Sequence, residues 1–170
     1  MNYEKKIVKN KDDIEKAMDS LSKDLIKIYP EGNVDLITLN HAPKYFSRDL
    51  ADSLTMEVRI QNLEFDNYGT RNKSGEVKII KDLEYPICGR NVILTDGIII
   101  SGTTHKYLFN ILNQRLPESI AIASVASKPK LLKKKLPPCY TLFNFSNEII
   151  EGYGMGSAEL KEKKCLFNVR

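Results

Sequence analysis

Asn91-Val-Ile-Leu-Thr-Asp-Gly-Ile-Ile-Ile-Ser-Gly-Thr-Thr-His-Lys-Tyr-Leu-Phe-Asn-Ile-Leu112 is the stretch from which the fold can be read. Val92 to Leu94 form an apolar run, Asp96-Gly97 interrupts it, and a second apolar triplet follows. Ser101-Gly102-Thr103-Thr104 then opens a segment with Leu108, Ile111 and Leu112 at helical spacing. The order is strand, loop, helix. Such a junction can cradle an anion, because Gly102 lets the backbone approach closely, the hydroxyls donate hydrogen bonds and the helix start favours negative charge. The same tetrapeptide serves equally as a plain helix cap, so the rest of the chain has to decide. Asp96 stands just past the first apolar run, where a carboxylate can face ribose hydroxyls or a metal ion.

Working outward, the strand-loop-helix pattern recurs. Val34-Asp-Leu-Ile-Thr-Leu39 reads as a buried strand, Asn40-His41-Ala42-Pro43 as its loop, and Phe46, Leu50 and Leu54 as one face of a second helix. A loop at the carboxyl end of a parallel strand is where open α/β sheets bind ligands, which singles out Asn40 and His41. Ahead of it, Ile14, Met18, Leu21, Leu25 and Ile28 form the apolar stripe of an amphipathic helix that Pro30-Glu31-Gly32-Asn33 ends. Between the two patterns, Met56, Val58 and Ile60 alternate with Glu57, Arg59 and Gln61, predicting a strand with one wet face. Polar residues 66–75 separate it from Glu76-Val-Lys-Ile-Ile80, a hairpin whose long loop has the character of a lid. Ser119 to Ala126, Tyr140 to Phe145 and Cys165 to Val169 read as further strands. The expectation is an α/β fold over residues 1–170 in one domain: a mostly parallel twisted sheet flanked by helices, with a β-hairpin flap and a small hood.

The composition is that of a globular domain, with 170 residues, 42% hydrophobic and 28% charged. No apolar run approaches the roughly 20 residues of a membrane span, and the polar start carries no signal core, so a cytoplasmic protein is expected. Cys88, Cys139 and Cys165 lack metal-ligand spacing and read as reduced thiols, and two histidines far apart suggest no metal site of their own. The net charge of +4 suits a phosphate-bearing ligand. Lys130 to Lys135 is a short lysine run without interleaved aromatics, a solvated loop rather than a nucleic-acid surface.

With those residues quoted, the chain resembles the hypoxanthine-guanine phosphoribosyltransferases of the type I phosphoribosyltransferase superfamily. Asn67-Tyr68-Gly69 through Ser74-Gly75-Glu76-Val77-Lys78 is similar to the family's flap, and Asn91 to Thr104 to its phosphoribosyl-pyrophosphate motif. Ser127-Lys128-Pro129 is similar to its base-binding lysine segment, and Glu148 to Met155 to its Val-Val-Gly-Tyr segment. The resemblance implies a reaction in which a purine displaces pyrophosphate from magnesium-bound phosphoribosyl pyrophosphate, giving IMP or GMP. It assigns the phosphate cradle to Ser101, Gly102, Thr103 and Thr104, and ribose contact with a weak share in Mg2+ binding to Asp96. It assigns purine contact to Lys128 and Ile150, the pyrophosphate loop to Leu39, Asn40 and His41, and the flap to Tyr68. It also implies a homo-oligomer.

Four positions depart from the family pattern. Gly97 stands for a second acid, Ile100 for the aspartate that handles the purine proton, Gly156 for an acid supporting a second magnesium ion, and Asn40 for a lysine. A general base contributes about two to four orders of magnitude in rate. Two functions therefore stay open on the sequence: a purine phosphoribosyltransferase with a diverged active site, or a catalytically impaired homologue that binds nucleotide and pairs with an active partner.

Overall fold

The computed structural model describes residues 4–40, 44–67 and 77–169. The chain runs β1 (Lys5–Lys9), α1 (Lys11–Ile28), β2 (Val34–Leu39), α2 (Lys44–Ser53), β3 (Val58–Asn67), β4 (Val77–Lys81), β5 (Asn91–Ile99), α3 (Thr103–Asn113), β6 (Ser119–Ser127), β7 (Cys139–Asn144), β8 (Ile150–Glu151), α4 (Ala158–Lys161) and β9 (Leu166–Val169). Six strands form one sheet in the order β4-β3-β2-β5-β6-β7, parallel except for the edge strand β4, which pairs antiparallel with β3. The mostly parallel sheet read from the sequence is the one observed.

Burial explains why the central strands are apolar throughout. All six residues of β2 are buried, as are Val92 to Thr95 of β5, because helices cover both faces of the sheet. Leu36, Ile93, Ala123 and Val125 face one core with Phe46 and Leu50 of α2 and Ile14, Met18, Leu21 and Leu25 of α1. Ile37, Leu39, Val92, Leu94 and Ile122 face the other with Leu108 and Leu112 of α3. α1 begins with a capping box, in which the Asn10 side chain accepts from the Asp13 N–H and the Asp13 carboxylate from the Asn10 N–H, both at 2.9 Å.

The structure corrects several boundaries. Asp96-Gly97 does not end the central strand, which runs on to Ile99 because pairing with β6 continues through Ile99 after pairing with β2 has stopped at Thr95. α3 stops at Asn113, and Leu116 lies 70% exposed with φ +56° in the following turn. Ile28 is 45% exposed at the end of α1, past the covering sheet. In β3 Val58 packs against the core as expected, but the pattern fails further on: Ile60 is 45% exposed, and Gln61 is 3% exposed, with its side-chain N–H bonded to Asp35 at 2.8 Å. A buried carboxylate needs donors, and this one takes Gln61, Arg59 and Arg90 together, with Arg59 Nη2 and Arg90 Nε each at 2.5 Å. The hood is a second sheet, β1-β9-β8, antiparallel throughout; its first strand was not expected from the polar start of the chain.

The hood is latched to α2. Tyr153 donates its hydroxyl to Asp49 at 2.6 Å, and Lys164 pairs with the same carboxylate at 2.8 Å. Burial, reinforced by the Asp49 hydrogen bond, pushes the Tyr153 phenol far above its ordinary range. Above the ordinary tyrosine pKa of about 10, the unfolded chain releases this proton while the native one retains it, so stability falls as pH rises through that window. Urea unfolding at pH 9 and pH 11 should show a larger loss for the wild type than for Tyr153→Phe; equal losses would place the phenol in water.

Candidate active site

At the carboxyl ends of β2 and β5 the sheet opens into a cleft of about 300 Å³. Leu39 and Asn40 line one side, Asp96, Ile98 and Ile100 the strand end, and Ser101, Gly102, Thr103, Thr104 and His105 the start of α3. Residues from two separated strand-loop-helix units thus share one site. Gly102 is the N-cap residue of the 11-residue α3 with φ +74°, a conformation that costs a side-chain-bearing residue about 1–2 kcal/mol. A Cβ there would also lie 2.9 Å from Leu132 Cδ1 and 3.1 Å from Leu136 Cδ1. The loop carrying Lys130 to Lys135 folds against this cradle, with the Lys133 N–H bonded to the Ser101 carbonyl at 3.0 Å and its lysines exposed. The start of α3, with the positive end of its dipole, lies at the cleft.

Two residues are more committed than their sequence suggested. Asn40 adopts φ +52°, and its side chain bridges to the backbone of Phe65, donating to the carbonyl at 2.9 Å and accepting from the N–H at 2.7 Å. The amide extends the β2–β3 ladder past its last residue and shapes the loop. Asp96 accepts the Gly97 N–H on Oδ1 at 2.6 Å, and its Oδ2 lies 2.8 Å from His105 Nε2. The approach is within hydrogen-bonding distance but off the ring N–H direction, since Nε2 makes no hydrogen bond as it stands.

The expected purine residues lie apart from the cradle. Lys128 lines an adjoining, mostly apolar cavity of about 270 Å³ with Ile99, Leu132, Leu136, Cys139 and Asn144, and its N–H bonds to the Ile99 carbonyl. The exposed Glu148 carboxylate is held below its ordinary range by its own and the Ser146 backbone N–H groups, with a smaller contribution from Lys128. Ile150 is 7% exposed and packs in the core with Tyr153, Met155 and Leu166, lining neither cavity. Tyr68 and His41 lie outside the described residues.

At Gly97 and Gly156 neighbouring side chains occupy the space that a larger residue would need. A Cβ at Gly97 would lie 2.7 Å from Met155 Cγ and 2.8 Å from its Sδ, so the hood closes directly over the strand there. A Cβ at Gly156 would run into the Glu151 side chain, whose carboxylate accepts from the Ser157 hydroxyl at 2.7 Å. Ile100 projects its apolar side chain, 42% exposed, at the cleft. Among the described residues no group of three or more acids, histidines or cysteines could hold a metal ion alone. A hard cation delivered with a substrate's phosphates needs only one or two protein carboxylates, and Asp96 fits that part.

Residues 5–158 match the phosphoribosyl transferase domain family. A hypoxanthine-guanine phosphoribosyltransferase of Streptococcus pyogenes is 34% identical over 155 residues, covering 91% of this chain and 86% of the relative. Crystal structures of a hypoxanthine-guanine phosphoribosyltransferase from Bacillus anthracis and a hypoxanthine phosphoribosyltransferase from Staphylococcus aureus share the fold, each with a TM-score of 0.90. Their identities are 23% and 24%, with coverage of 100% of both chains in the first case, and 97% of this chain and 91% of that one in the second. The chain belongs to the phosphoribosyl transferase domain family, in its hypoxanthine-guanine phosphoribosyltransferase branch.

Proposed function

We propose that this chain is a purine phosphoribosyltransferase of purine salvage, which joins hypoxanthine or guanine to phosphoribosyl pyrophosphate and releases a nucleoside monophosphate and pyrophosphate. The observation that carries the reading is the convergence of Asn40, Asp96 and the Ser101–Thr104 cradle in one cleft at the carboxyl ends of parallel strands. The cradle holds the 5′-phosphate through backbone N–H groups and hydroxyls, and Asp96 accepts hydrogen bonds from the ribose hydroxyls. Lys128, at the head of the adjoining cavity, donates to the purine 6-oxo group, and Tyr68 belongs to the flap that shields the reacting carbon from water. Magnesium, held by the substrate's phosphates and linked to Asp96 only through the ribose hydroxyls, would neutralise the departing pyrophosphate. Ile100 has no proton to exchange, so the purine proton leaves by another acceptor and turnover is slow for the class.

The test is a product assay with phosphoribosyl pyrophosphate, magnesium and each of hypoxanthine, guanine and xanthine. Nucleotide and pyrophosphate should form in equal amounts, and Lys128→Ala should raise the KM for the purine about tenfold or more, as expected for a charged hydrogen bond. Absence of product with every base, while IMP or GMP still raises the melting temperature, would overturn catalysis and leave a nucleotide-binding module.

A further inference from the structure

His105 is the third residue of α3, on the helix face that carries Leu108 and Leu112 into the core. It is 5% exposed, and its Nε2 is buried without a hydrogen bond. Leaving a buried ring nitrogen unpartnered costs about 1–3 kcal/mol, and an aliphatic residue at this helix position would avoid that cost. The polar group beside it is Asp96, whose Oδ2 lies 2.8 Å away. Asp96 lines the cleft with its side chain 24% exposed, and its other oxygen is already bonded to the Gly97 N–H. A carboxylate offers about four acceptor sites, two on each oxygen. Donors at Oδ1 from Gly97 and at Oδ2 from His105 therefore leave one acceptor site on each oxygen, a fork suited to two neighbouring hydroxyl groups.

We propose that His105 is a positioning residue for Asp96: its Nε2–H closes onto Oδ2 when ligand hydroxyls engage the carboxylate, fixing the orientation in which Asp96 recognises the vicinal diol of a ribose phosphate. This rests on the reading of the cleft as a phosphoribosyl site. Hydrogen bonds at such sites are often poorly aligned before the ligand arrives and tighten in the complex. The Nε2 atom is buried, so where His105 lines the cleft it does so through its other atoms.

The experiment measures binding of GMP, 2′-deoxy-GMP and inorganic phosphate to the full chain and to His105→Phe, His105→Gln and Asp96→Ala. The wild type should prefer GMP to its deoxy analogue. His105→Phe should weaken GMP by about tenfold, the scale of one hydrogen bond to a charged group, and bring it toward the deoxy value while phosphate binding is unchanged. His105→Gln, which can place an N–H donor near the same point, should restore most of the preference, and His105→Phe should add nothing in the Asp96→Ala background. If phenylalanine disturbs packing, His105→Leu suits the helix and serves the same comparison. An unchanged ratio of GMP to deoxy-GMP in both apolar variants overturns the proposal, as does equal weakening of all three ligands. Failure of the wild type to bind GMP at all overturns the phosphoribosyl reading with it, a result distinct from loss confined to His105 variants.

Discussion

Gly102→Val should lower turnover by about 10²-fold or more, the scale seen when a preorganised anion donor is lost, while the chain remains folded. Valine is β-branched and resists the φ of +74° that the cradle requires, so the backbone at the start of α3 must turn away. Its Cβ also meets Leu132 and Leu136, which fold back over the loop. Relaxing either conflict redirects the backbone N–H groups at the start of α3. The global fold withstands this because the strain amounts to a few kcal/mol, against roughly 5–15 kcal/mol for a domain, and the affected loop lies at the sheet's end. Thermal denaturation with and without GMP reads both effects: a near-normal melting temperature that the ligand no longer raises. Wild-type stabilisation by GMP in this variant would refute the cradle assignment.

Asp35→Ala should produce the largest loss of stability. Its carboxylate is fully buried and binds Arg59, Arg90 and Gln61. Removing it strands two guanidinium groups, and breaking a buried pair from one side costs about 3–5 kcal/mol. For a chain of this size that corresponds to a fall in melting temperature of roughly 10 °C. Asp35 pairs with Arg59 and Val92 near the amino ends of the parallel strands, away from the cleft at their carboxyl ends, so the folded fraction should retain its KM values. A shift below about 2 °C would mean that water already screens the three side chains.

The parts of the fold visible in the sequence are those set by local periodicity. The stripe Ile14, Met18, Leu21 and Leu25 and the continuous run of β2 announce their burial directly. The burial of Gln61 in β3 could not be seen, because it is inside only by virtue of Asp35 on a neighbouring strand. The hood was legible only in part: β1 pairs with β9 from the opposite end of the chain, and nothing in Lys5–Lys9 names that partner. At the site, the cradle and Asp96 could be located from strand-loop-helix order, whereas the Asn40 bridge to Phe65 depends on strand adjacency. His105 carried a signal that went unused: with Leu108 and Leu112 it falls at i, i+3 and i+7, which places a histidine on the buried face beside Asp96.

The contact between Met155 and Gly97 bears on how such a chain can change. An acid placed at position 97 would have its first side-chain carbon 2.8 Å from the Met155 sulfur, so the methionine would have to give way before the acid could meet a ligand. The two positions are therefore coupled, and the order of substitutions matters: shrinking position 155 first eases the growth of position 97. Intermediates made in the other order pass through overpacking, which costs about 1–3 kcal/mol. Packing in this way acts as a ratchet, making the loss of a side chain easier to acquire than to reverse.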